Sequence, residues 1–215
     1  MSNAREQLLR SGMDVVHING GKGGPNISVQ VASLLGSEIK PGALIFFGFG
    51  SGGDESDSHF YNGSHFKEAL KSWCAGGGRF IVQGEGTRRT GNWPSWFDKN
   101  WKDCDYFRTD HKCFAVGPNA TNWCEWYKNS MGAVLSTYNV KACMLENVDA
   151  EEILFGTMED SQSYSLVPGF GGQNIGGGKT AVAFGKFGSG TVSFFGDVNH
   201  ETDTLKIMAV IARGN

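Results

Sequence analysis

A glutamate set between two glycines at the end of an apolar run is the strongest chemical feature of the chain. The stretch Arg79–Arg89 reads RFIVQGEGTRR, so a strand-like segment runs directly into Gln83-Gly84-Glu85-Gly86. Glycines on both sides of one polar residue suit a sharp turn that pushes its side chain out of a sheet. A carboxyl group partly removed from water at such a turn can serve as a general acid or base. The alternative is an ordinary strand-to-loop turn with Glu85 in solvent. Trp93, Trp96, Trp101, Trp123 and Trp126 follow closely. They either close a core beneath irregular loops or form a ring-stacking platform beside Glu85, with Trp93, Trp96 and Gln83 as substrate-binding residues.

Other candidate motifs fail on context. Gly48-x-Gly50-x-x-Gly53 follows a strand, but Asp54, Glu55 and Asp57 come next and would repel a pyrophosphate. Gly178-Lys179-Thr180 imitates the end of a phosphate-binding loop, yet the required first glycine falls on Gln173. His59 and His65 match no metal spacing, and the five cysteines include no CxxC pair. No cofactor and no metal is therefore expected.

The elements that must position Glu85 come from periodicity. Asp14–Asn19, Gly42–Phe47 and Arg79–Val82 read as strands, each followed by a glycine turn. Ile27, Val31, Leu34 and Leu35 have helical spacing, and a second helix is expected from about His65 to Cys74. Ala133–Leu135 and Glu152–Phe155 are candidate short strands. Thr180–Gly185 and Thr191–Phe195 form a hairpin across Lys186–Gly190, and Thr202 or Asp203 caps a closing helix. This order predicts an α/β fold: a mostly parallel central sheet flanked by helices on both faces, flavodoxin-like, with a C-terminal β-hairpin. The 215 residues read as one domain, with residues 92–130 a Trp-rich insertion over the pocket.

A net charge of -3 gives no basic footprint for nucleic acid, and no apolar run is long enough for a membrane span. An odd cysteine count without a signal-like apolar N-terminus points to the cytoplasm. A homodimer stays open.

The order of parts resembles the class I glutamine amidotransferase-like superfamily, in particular its trehalose-utilisation-like (ThuA-like) branch. Gly48-x-Gly50 looks like the family's glycine-rich oxyanion strand, and Phe80–Gly86 like its nucleophile elbow. AFGKFGSGTVSFFGDVNHET is similar to the closing hairpin and histidine loop. The resemblance implies that His200 matches the catalytic histidine. The elbow here has no cysteine, so a thioester route to glutamine hydrolysis is closed. What remains is Glu85 as acid/base, His200 or Asp197 as its partner, and Gly48 and Gly50 amides as anion donors. The substrate implied is a small polar molecule, in the ThuA-like case a sugar derivative. A non-catalytic ligand- or partner-binding module on the same fold is the alternative.

Overall fold

The computed structural model describes residues 6, 8–10, 12–14, 16, 27–47, 64–83, 93–113, 125–132, 135–165 and 167–214. Its strands are β1 (Ala43–Phe47), β2 (Arg79–Gln83), β3 (Lys102–Cys113), β4 (Thr137–Glu146), β5 (Ile153–Gly156), β6 (Thr180–Phe187) and β7 (Gly190–Phe195). The helices are α1 (Ile27–Gly36), α2 (Ser64–Ala75), the short α3 (Trp93–Trp96) and α4 (Thr202–Arg213). Residues 125–131 are also helical.

The strands join in one 7-stranded sheet of order β1-β2-β7-β6-β4-β3-β5. Among the described residues only the β1–β2 and β2–β7 pairs are parallel, and the other strand pairings are antiparallel. β5 pairs with both β3 and β6, so β6, β4, β3 and β5 close on themselves as a small antiparallel barrel. Closure matters because a ring of strands leaves no unpaired edge.

This corrects the expected fold. A mostly parallel, flavodoxin-like α/β sheet is not what the chain forms, and the resemblance to class I glutamine amidotransferase-like proteins of the ThuA-like branch falls with it. The cause is the middle of the chain. β3 and β4 pair over Lys102–Lys112 and Thr137–Glu146 with a bulge between Asp103 and Tyr106. They turn an open sheet into a closing antiparallel one. On β4 the alternate residues Tyr138, Val140, Ala142 and Met144 are buried, which is the period of a half-buried strand.

The apolar core splits across β2. Phe80 and Val82 face one side, where Val31 and Leu35 of α1 and Phe66, Leu70 and Trp73 of α2 cover them. Ile81 faces the other, against Leu205, Ile207, Met208 and Ile211 of α4. By the same alternation Gln83 lies on the α4 side. At the opposite end of β2, Arg79 Nε donates to the Ala212 carbonyl (3.0 Å) and its Nη2 to that of Arg213 (3.2 Å). Those bonds satisfy carbonyls that the last turn of α4 leaves open. Met13, Asp14 and Val16 lie outside any strand, and the rest of the expected first strand, apart from these, is outside the described residues. Ala133 and Val134 are also outside them.

Candidate functional site

β2 and β7 run parallel with Gln83 opposite Phe195, so both strands finish at the same level. The chain leaves β7 through Gly196, whose N–H donates to Ala181 O (2.9 Å) and whose carbonyl accepts from Cys143 N (2.8 Å). A Cβ at this position would lie 1.8 Å from the Cys143 carbonyl oxygen. Only glycine can pass between β4 and β6 here, and that fixes where the following loop starts.

Asp197 then shapes the loop. Its residue is 1% exposed, and its two carboxylate oxygens accept the N–H groups of Asn199 (2.8 Å) and Glu201 (2.7 Å). Glu201, not Thr202 or Asp203, is the N-cap of α4; it makes no side-chain cap of its own, and Asp197 holds its N–H from outside the helix. Between the two bonded amides His200 adopts φ 54°, a left-handed conformation that non-glycine residues seldom take. The half-buried ring has Nδ1 2.9 Å from Oε1 of Gln83, and Gln83 Nε2 lies 3.0 Å from the main-chain oxygen of Asp197. Gln83 is 0% exposed.

A polar row extends the site across the barrel. Glu201 pairs with Arg108 of β3, Arg108 Nη1 donates to Asn139 Oδ1 (3.0 Å), and Asn139 Nδ2 donates to Asp110 Oδ1 (2.8 Å). Arg108 and Asn139 were missed because β3 and β4 were not read as strands. Glu201 could have been found, as it adjoins His200.

Of the residues expected to act, Gln83, Asp197 and His200 are brought together. Glu85, Gly48 and Gly50 lie outside the described residues. Trp93 and Trp96 are elsewhere: they are buried with Phe80 and Phe97 in the core on the α2 side. Trp93 packs edge-on to Phe80 at 5.8 Å and to Trp101 at 6.0 Å. A cavity of about 290 Å³ is lined there by Trp93, Lys99, Trp101, Leu145 and Phe194 among others, but not by Gln83, Asp197 or His200. Lys99 there is paired with Glu152, whose other oxygen accepts from Trp101 Nε1 (2.9 Å), and Lys102 and Asp103 also line it. Among the described residues no group of three or more His, Cys, Asp and Glu side chains could hold a metal ion. No described helix is long and apolar enough to cross a membrane.

No protein-family model and no curated protein matches the chain. Solved structures give distant likenesses. A β-galactosidase from Bacillus circulans sp. alkalophilus is similar at 14% identity over 81% of this chain, with a TM-score of 0.41. The chain spans 22% of that enzyme's length. Cytoplasmic protein STM3548 from Salmonella typhimurium is similar at 11% identity over 98% of this chain and 84% of its own, TM-score 0.47. Cytoplasmic protein STM1381 from Salmonella typhimurium LT2 gives 10% identity, 99% and 82% coverage, and a TM-score of 0.46. Likenesses of this degree decide neither fold nor chemistry.

Proposed function

We propose that the carboxyl ends of β2 and β7 bind a small polar molecule through His200, with Glu85 as the acid/base group. The observation that carries this reading is the left-handed backbone of His200, held between two amides that Asp197 binds. Strain in a non-glycine residue persists only where surrounding bonds over-determine it, and such residues cluster at binding and catalytic sites. A ring anchored at one nitrogen by a buried amide suits exchange of a hydrogen bond or a proton with a ligand hydroxyl. The compartment we assign is the cytoplasm, in keeping with the absence of any disulfide among the described cysteines.

Thermal-shift screening with polyols, sugars and amino acids tests the reading. A ligand should raise the melting temperature of the wild type and leave His200→Gln unmoved. An equal response in both proteins would sink it. Given such a ligand, Glu85→Gln separates catalysis from binding. A catalyst loses turnover of the ligand, whereas a binding module changes affinity at most.

A further inference from the structure

We infer that Gln83 sets the tautomer of His200, so that the neutral ring holds its proton on Nδ1 and its lone pair on Nε2. This deepens the ligand-binding reading above and rests on it for its purpose, but not for its test.

The argument is one of donors and acceptors. A primary amide has one end that only donates and one that only accepts. One end of the Gln83 amide lies 3.0 Å from the main-chain oxygen of Asp197, a group that can only accept. The NH₂ must be at that end, because the opposite assignment would set two oxygens against each other in a buried place. Oε1 is thereby committed to His200 Nδ1, 2.9 Å away. A carbonyl oxygen cannot donate, so Nδ1 must carry the proton. In the neutral ring the lone pair is then on Nε2.

Nothing in this chain of contacts is loose. Gln83 is fully buried and is the last residue of a strand paired on both sides, with Phe47 and with Phe195. The oxygen it recognises belongs to Asp197, whose carboxylate also fixes the backbone on either side of His200. Gln83 is thus a positioning residue acting through His200.

The test is nitrogen-15 NMR of protein with labelled histidine, read with the ring in its neutral form, with His200→Gln to assign its signals. The ring-nitrogen correlation pattern distinguishes Nδ1–H from Nε2–H directly. The wild type should show Nδ1–H. Gln83→Leu should move the population to Nε2–H, and Gln83→Glu, which keeps an oxygen facing Nδ1, should restore Nδ1–H. A merely structural role for Gln83 would lower stability in both variants without moving the tautomer. The inference is overturned by an Nε2–H pattern in the wild type, or by Nδ1–H surviving in Gln83→Leu. Should Gln83→Leu not fold, the wild-type pattern and Gln83→Glu still decide. Failure of the ligand screen with the expected NMR result would remove the binding reading and leave the tautomer assignment standing.

Discussion

Asp197 commits both carboxylate oxygens to main-chain N–H groups, and the consequence is local order rather than reactivity. Removing it frees two amides at the head of α4 and releases His200 from its left-handed backbone. Asp197→Ala should cost about 3 kcal/mol in urea denaturation, from two lost hydrogen bonds to a charged group. It should also abolish any ligand response. A second residue, His111, governs acid stability. It is fully buried on β3 opposite Tyr138, and neither ring nitrogen has a partner among the described residues. Burial holds it down to about 4 from the usual 6.5, against a smaller upward push from Asp110. The folded state therefore refuses a proton that the unfolded chain takes up below pH 6.5. Stability is full above that value and falls as pH drops toward 4. Between pH 7 and 5 the loss should be about 2 kcal/mol, at roughly 1.4 kcal/mol per unit. Comparing urea midpoints at the two pH values with those of His111→Phe isolates the contribution of His111. An unchanged pH dependence in the variant would remove His111 as its source.

At the scale of elements, the contacts between strands and loops carry the energy. Gly196 threads between β4 and β6 with no room for a Cβ, which would meet the backbone oxygen of Cys143 at 1.8 Å. Neither strand can give way without breaking its ladder. Gly196→Ala should prevent folding or lower the melting temperature by about 4–12 °C, on the order of 2–3 kcal/mol. Lys99 and Glu152 form a largely covered ion pair, with side chains 12% and 14% exposed, between the segment after α3 and the start of β5. Breaking it by Glu152→Ala strands a cation and leaves Trp101 Nε1 without its acceptor. The expected cost is about 3 kcal/mol, and the double variant Lys99→Met/Glu152→Ala should recover part of it. A double variant less stable than Glu152→Ala would contradict that reading. The tryptophans belong to this scale too. Trp93 is 1% exposed and packs on Phe80, the second residue of β2, while Gln83 ends the same strand.

For the whole molecule the deciding event is closure of β6, β4, β3 and β5. Phe155 of β5 meets Tyr138 of β4 edge-on at 4.9 Å although β3 lies between their strands, so the two pack across the barrel interior. Phe155→Ala should cost about 3–5 kcal/mol by chemical denaturation; a loss below 1 kcal/mol would mean that the interior is not filled this way. By itself the sequence determined the elements with strong local period: α1, β1, α2, β2, the β6–β7 hairpin and α4. It also marked Asp197 and His200 as one polar loop, because glycine and an abrupt change from apolar to polar residues are local signals. Strand direction is different. ALIFF and RFIVQ pair parallel as expected, but whether a strand pairs parallel or antiparallel depends on its neighbour, and nothing in TYNVKACMLE records which neighbour that is. β3 was illegible for a second reason. Its Lys102, Asp103, Asp105, Arg108, Asp110 and Lys112 put charge on both faces, and only Thr109 and His111 are buried. The alternation on β4 gains meaning only beside that partner. Tertiary structure alone therefore decided the closed antiparallel architecture and the meeting of Gln83 with His200, since both are contacts between residues far apart in the chain.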